Sequence, residues 1–343
     1  MSDPGATPPL LQVRDLVKSY TQRSRFGGMR AGLVQAVAGV SFDVMRGETL
    51  SLVGESGCGK STTARCVVRI VEPTSGSVVF DGHELAGLGY DEIRPLRRRF
   101  QMVFQDPQAS LNPRMRVREI IGEPLVLHGH DAGDVSESVD RLCRQVQLHP
   151  EDLERYPHQF SGGQRQRIGI ARALALEPDL VALDEPVSAL DVSIQAEIVR
   201  LLRRLRDELG LSYLLIAHDL SVVRHISDRV AVMYLGKIVE MGTNADVYER
   251  SAHPYTQALL AAAPIPDPRA ERTRERIVLT GDVPSPVNPP SGCRFRTRCW
   301  RATERCAQEE PLLTDPGIGH AVACHYPEEV NVLSRRSERS TRG

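Results

Sequence analysis

Gly54-Glu55-Ser56-Gly57-Cys58-Gly59-Lys60-Ser61, followed by Thr62, is the stretch that decides the fold. It fits the pattern G-x-x-x-x-G-K-[ST]. The preceding run, Glu48 to Val53, reads as a strand, and Thr62 to Val71 reads as a helix that ends before Pro73. That context separates a phosphate-binding loop from a Gly-rich turn that matches by chance. Gly54, Gly57 and Gly59 let the backbone curl so that successive N–H groups, with those of Ser56, Cys58 and Thr62, face a phosphate at a helix start. Lys60 is expected to reach the outer phosphates, and the Ser61 hydroxyl to ligate Mg²⁺.

Outward from this loop, strand-like and helix-like runs alternate. Leu10 to Lys18, Val37 to Val44, Gly76 to Phe80, Leu180 to Leu183, Ser212 to Ala217 and Arg229 to Tyr234 read as strands. Ser161 to Leu176 and Ser193 to Leu209 read as helices. Between Pro107 and Phe160 the pattern is helical, more polar and broken by proline, as in an inserted helical subdomain spanning about residues 107–176. The expected class is α/β, with a largely parallel sheet covered by helices. After Met241 the character changes. Ala245 to Arg250 and Tyr255 to Ala263 read as short helices, and Pro284 to Pro290 is too proline-rich for regular structure. The expected layout is a disordered start over 1–9, a nucleotide-binding domain over 10–245, a C-terminal domain over 246–330, and a disordered Arg-rich tail over 331–343.

Two carboxylates complete the chemistry. Asp184 ends the apolar strand and would hold Mg²⁺ beside the loop, and Glu185 would polarise the attacking water. Ser161-Gly162-Gly163-Gln164 precedes them by about twenty residues. A Ser hydroxyl and glycine N–H groups at a helix start form a second anion site. In this order and spacing the chain resembles the ATP-binding cassette (ABC) ATPases, whose core is a P-loop ATPase fold of RecA-like type with an added antiparallel β portion. The resemblance implies that Ser161 to Gln164 contact the ATP held by an opposing subunit, so that two subunits sandwich two nucleotides. It also assigns Gln105 to the glutamine that touches Mg²⁺ and water, Ser188 and Asp191 to the loop that packs across the dimer, His218 to the switch histidine, and Tyr20 to adenine stacking. ATP hydrolysis follows as an expectation. A P-loop kinase would lack the Ser161 to Gln164 motif.

Phe104-Gln105-Asp106-Pro107-Gln108-Ala109-Ser110-Leu111-Asn112-Pro113 and His253-Pro254-Tyr255-Thr256-Gln257-Ala258-Leu259-Leu260 are similar to the dipeptide/oligopeptide importer branch of that family. So is the Gly/Arg loop over about Thr21 to Leu33. This implies an ATP hydrolase coupled to transmembrane transport, peripheral on the cytoplasmic face of the membrane. Its implied partners are a second ABC ATPase subunit, two permease subunits and an extracytoplasmic solute-binding protein. Nickel, glutathione and opine-like solutes are alternative cargoes, and a soluble non-transport ABC ATPase is the reading from another class.

Composition bounds these readings. In 343 residues, a net charge of −1 gives no electrostatic case for a nucleic-acid partner, and no apolar run reaches the length of a membrane span. Cys293, Cys299, Cys306 and Cys324 cluster near the end with Arg294, Arg296, Arg298 and Arg301 between them. Neighbouring positive charge is expected to lower their pKa and favour thiolate ligands. The spacing lacks the usual pairs of zinc sites and the ferredoxin run, so zinc, an iron–sulfur cluster and free thiols all remain open. The importer resemblance implies a [4Fe–4S] cluster on such a tail.

Overall fold

The computed structural model describes residues 8–21, 33–263, 277, 279 and 281–332. Readings that fall on 1–7, on the Gly/Arg loop over 22–32, on Pro264 to Pro268 and on 333–343 lie outside the described residues. In chain order the elements are β1 (Leu11–Thr21), β2 (Leu33–Val44), β3 (Thr49–Val53), α1 (Lys60–Val67), β4 (Ser75–Phe80), β5 (His83–Glu84), α2 (Tyr90–Leu96) and β6 (Phe100–Val103). There follow α3 (Pro107–Ser110), α4 (Val117–Leu127), α5 (Ala132–Gln145), α6 (Gly162–Leu174), β7 (Leu180–Asp184), α7 (Val192–Leu209) and β8 (Ser212–Ala217). The chain continues through α8 (Leu220–Ile226), β9 (Arg229–Tyr234), β10 (Lys237–Thr243), α9 (Asn244–Glu249) and α10 (Pro254–Ala262) to β11 (Ala321–Val322).

β3, β7 and β8 are buried along their whole length, as strands covered on both faces must be. Their side chains alternate between two cores. Val181 and Leu183 of β7, and Tyr213 and Leu215 of β8, pack with the helical subdomain. Leu180, Ala182, Leu214 and Ile216 pack on the opposite face with the antiparallel sheet. A period of two along each strand therefore builds both layers at once, and each fully buried Leu, Ile or Val side chain contributes roughly 1.5–3 kcal/mol.

The main sheet has the order β11-β10-β9-β3-β8-β7-β6. β6, β7, β8, β3 and β9 are parallel neighbours, while β10 and β11 add antiparallel strands at one edge. A second sheet, β2-β1-β4-β5, is antiparallel throughout. The mixture matches the expected P-loop ATPase core with an antiparallel β portion.

Some local readings shift. The helix after the phosphate loop starts at Lys60 and stops at Val67, shorter than expected, because Arg69 turns into a positive φ of 53°. β6 and β10 are strands the periodicity did not predict. The region after Met241 also returns to the sheet, since Glu240 and Met241 pair with Val322 and Ala321.

Candidate nucleotide site

The site forms where the parallel strands end, at the carboxyl edge at which open α/β sheets bind ligands. The phosphate loop follows β3, Gln105 follows β6, Glu185 follows β7 and His218 follows β8. Close packing dictates the glycines. A Cβ on Gly54 would lie 2.2 Å from the Met233 carbonyl oxygen, and one on Gly59 would lie 2.1 Å from that of Ala36. Gly59 caps α1 in the left-handed region at φ 108°, with no side chain bonded to the first-turn N–H groups. Those donors stay aimed at an incoming phosphate. Lys60 is buried, and its Nζ donates to the carbonyls of Gly54 (2.8 Å) and Glu55 (3.0 Å), which holds it inside the loop.

Ser61 Oγ donates to Asp184 Oδ1 at 2.6 Å, and Asp184 is completely buried. Arg65 approaches the other oxygen at 3.4 Å. Hydroxyl and carboxylate oxygens of this kind match the hard-donor preference of Mg²⁺.

The second cluster centres on Glu185. Gln105 Nε2 donates to its Oε2 at 2.9 Å, and His218 Nδ1 lies 3.2 Å from the same oxygen. Glu185 sits at φ 46°, a conformation that costs a non-glycine residue about 1–2 kcal/mol. Its backbone is held there because its N–H donates to Ile216 O, while its carbonyl accepts from Ser188 N–H and Oγ. The first residue of the expected dimer loop, Ser188, is thus bonded directly to the carboxylate-bearing residue. Asp191 caps α7 without a side-chain bond.

The other sequence-predicted residues stand apart. Ser161 caps α6 through a reciprocal box: its Oγ accepts from Gln164 N–H (3.3 Å) and its N–H donates to Gln164 Oε1 (3.1 Å). Gly163 lies so close to α7 that a Cβ would meet Ile194 Cγ2 at 2.5 Å. Among the described residues, no hydrogen bond or ion pair joins Ser161–Gln164 to the phosphate loop. Tyr20 is exposed at the end of β1, with the Lys18 ammonium 5.1 Å from its ring centroid.

Cys293, Cys299, Cys306 and Cys324 line one small cavity, together with Phe295 and His253, and no disulfide joins them. As the side chains stand, no group of three or more His, Cys, Asp or Glu among the described residues is set to hold a metal ion. The interleaved arginines do not bring the Cys293, Cys299 and Cys324 thiols below the ordinary value as expected. Burial pushes Cys293 up to about 11 and raises Cys299 and Cys324 as well, outweighing the opposing charge of Arg301.

Three site neighbours were not legible in the sequence. Arg65 flanks Asp184, Tyr255 Oη accepts from the Glu55 N–H at 2.8 Å, and Arg298 pairs with the Glu55 carboxylate. Arg65 lies one helical turn after Ser61, a spacing that could have flagged it. Tyr255 and Arg298 come from far along the chain and carry no such signal.

The ABC transporter family matches residues 37–188, and the oligopeptide/dipeptide transporter C-terminal region matches residues 239–306. The chain is 53% identical over 321 residues to the putative oligopeptide transport ATP-binding protein YkfD of Bacillus subtilis, covering 92% of this chain and 95% of that one. It is 54% identical over 293 residues to the oligopeptide transport ATP-binding protein OppF of Haemophilus influenzae, covering 85% and 88%. Among solved structures it resembles the dimeric ATP-binding cassette MJ0796 in a post-hydrolysis state bound to ADP and Pi, with a TM-score of 0.61 and 27% identity over 68% of this chain and 98% of that chain. It also resembles cbiO1 from Clostridium perfringens, part of the cbiONQ transporter complex, with a TM-score of 0.60 and 28% identity over 70% and 90%. The phosphate loop, the paired carboxylates, the capped Ser161 helix and the matched C-terminal region together make the chain a member of the ABC family of oligopeptide transport ATP-binding proteins.

Proposed function

We propose that this chain is the ATP-hydrolysing subunit that powers an oligopeptide importer. The observation that carries the reading is the Glu185 carboxylate, which receives Gln105 and lies against His218 beside the Ser61–Asp184 pair. ATP would bind with its phosphates on the α1 start and on Lys60, and Ser61, Asp184 and Gln105 would hold Mg²⁺ through oxygen atoms. Mg²⁺, when bound, neutralises charge developing on the phosphates. Glu185 accepts the proton of the attacking water, and His218 and Gln105 orient that carboxylate. Ser161 to Gln164 serve the nucleotide of an opposing cassette.

Gln105 also faces the route to the membrane. A groove of about 680 Å³ lies between the sheet edge and the helical subdomain, lined by Arg65, Phe104, Gln105, Ser110, Glu123 and Arg172. It suits a permease helix, so that movement of Gln105 on ATP binding is passed to the membrane subunits. Among the described residues no helix is long and apolar enough to cross a membrane; in this reading the chain attaches through the permeases, on the cytoplasmic face. An extracytoplasmic binding protein delivers the peptide in that assembly. The four tail cysteines fit an iron–sulfur cluster in donor chemistry, since they are soft thiols lining one cavity; Cys293, Cys299, Cys306 and Cys324 would hold it, and the cluster would cross-link the tail. Detergent purification of the tagged chain tests the function. Recovery with two permeases and peptide-stimulated ATPase activity is expected, and recovery with DNA and no membrane protein would refute it.

A further inference from the structure

Glu55 is the residue of the phosphate loop that nucleotide chemistry leaves unexplained. It places a carboxylate, about a quarter exposed, in a loop built to receive polyphosphate, and a fixed negative charge there opposes the ligand. Its partner lies 243 residues further along the chain. Arg298 Nη1 donates to Oε2 at 2.7 Å and Nη2 to Oε1 at 3.0 Å, a bidentate pair whose arginine side chain is only 7% exposed. The backbone of the same residue is held as well, because its N–H donates to Tyr255 Oη.

These two partners are locked to each other by an aromatic wedge. Tyr234 at the end of β9, Tyr255 of α10 and Phe295 of the tail have ring centroids 4.6–5.3 Å apart. The Arg298 guanidinium stands 6.0 Å from the Tyr234 ring centroid. Arg294 completes the dock by bonding the Leu235 carbonyl and Gln35 Oε1. The tail therefore reaches the loop through both a charge and a rigid apolar contact.

Resting on the nucleotide-site reading, we propose that Arg298 is a positioning residue for the phosphate loop. By neutralising Glu55 it makes the C-terminal segment part of the nucleotide site, so that the docking of the tail sets ATP affinity. The electrostatic role gives the two halves of the pair opposite effects. Arg298→Ala leaves the carboxylate facing the phosphates, whereas Glu55→Gln leaves the guanidinium facing them.

The test is the dissociation constant of Mg–ATP, by displacement of a fluorescent nucleotide, measured beside the thermal midpoint for the full chain. Arg298→Ala is expected to weaken binding about tenfold, equivalent to about 1.4 kcal/mol. Glu55→Gln tightens binding, the double variant returns to within about threefold of wild type, and Arg298→Lys recovers part of the loss. A simple tail anchor predicts instead that both single variants weaken binding equally and that the double variant is no better; that pattern overturns the proposal. Where Arg298→Ala does not fold, Glu55→Gln alone decides, since weaker binding in it contradicts neutralisation. A wild-type chain that binds no Mg–ATP would refute the nucleotide site itself, a result distinct from normal wild-type binding that Arg298→Ala leaves intact.

Discussion

Replacing Glu185 by Gln isolates proton acceptance from everything else at the site. The two side chains are nearly isosteric, and an amide oxygen still accepts from Gln105 Nε2, now 2.9 Å away. The backbone bonds to Ile216 and Ser188, which hold φ at 46°, do not involve the side chain. The stored strain and the packing are therefore unchanged. What is lost is the capacity to take a proton from water, together with the negative charge that lies 3.2 Å from His218 Nδ1. A positioned general base contributes roughly 10²–10⁴-fold, or about 2.7–5.4 kcal/mol at about 1.36 kcal/mol per decade. Because one carboxylate oxygen serves two partners, a loss on the order of 10³-fold in kcat is expected. Steady-state phosphate release gives kcat, and fluorescent-nucleotide displacement gives the affinity, which should stay within about threefold of wild type. Turnover above a tenth of wild type would remove Glu185 from the role of base. Equal losses in affinity and turnover would show that the substitution disturbed binding rather than proton transfer.

Three further outcomes follow from the geometry. Gly163→Ala drives a Cβ to within 2.5 Å of Ile194 Cγ2, on a stiff β-branched side chain, so a stability loss of about 1–3 kcal/mol is expected; Ile194→Ala should restore most of it in urea unfolding, and an unchanged midpoint in Gly163→Ala would show that α6 and α7 separate easily. His253 is buried at the start of α10, where its Nδ1 accepts from the Tyr255 N–H, and burial holds its pKa down to about 3. A depressed folded value means that stability is full above the unfolded value of about 6.5 and falls as pH drops below it, by about 1.4 kcal/mol per unit; His253→Asn keeps an acceptor and should flatten the decline between about pH 6.5 and 5, and an unchanged slope would place the titration elsewhere. Cys293→Ser should remove both bound iron and absorbance near about 400 nm from anaerobically purified protein, whereas colourless, iron-free wild-type material would discard the cluster.

How far the sequence speaks depends on how locally each feature is encoded. The phosphate loop, Asp184, Glu185 and His218 are legible because each sits at the end of an apolar strand, where side-chain chemistry and backbone direction are fixed by a few neighbours. β6 escapes because Phe100-Gln101-Met102-Val103 is four residues long, carries a polar residue inside, and follows Arg97-Arg98-Arg99. β10 escapes because Glu240 interrupts its apolar run, yet that carboxylate is fully buried and bonded to the N–H groups of Ala252 and His253 and to His320. Burial satisfied by distant donors leaves no periodic trace. The tail is the extreme case. Its cysteine spacing resembles no standard site, while the fold brings all four thiols to one cavity and sets Arg298 on Glu55.

The separation of Ser161 from the phosphate loop leads to the last prediction. Each chain carries a loop with Lys60 and a hydrolytic carboxylate, but its Ser161 helix start faces solvent at Ser161 and Gly162 and bonds neither. An exposed anion site unused by its own chain is what a shared, two-fold interface requires, since Ser161 of one copy then meets the phosphate loop of the other while its own loop meets the other copy's Ser161. Lys60→Ala and Ser161→Ala should each abolish hydrolysis as pure proteins. Mixed in equal amounts they should regain activity, because a Ser161→Ala chain supplies an intact loop and a Lys60→Ala chain an intact Ser161. Random pairing makes half of the dimers mixed, each with one good site of two, so recovery to about a quarter of wild type is expected. Specific activity of the wild type should also rise with protein concentration. If the variants still dimerise and the mixture stays inactive, Ser161 does not serve the nucleotide of the opposing chain.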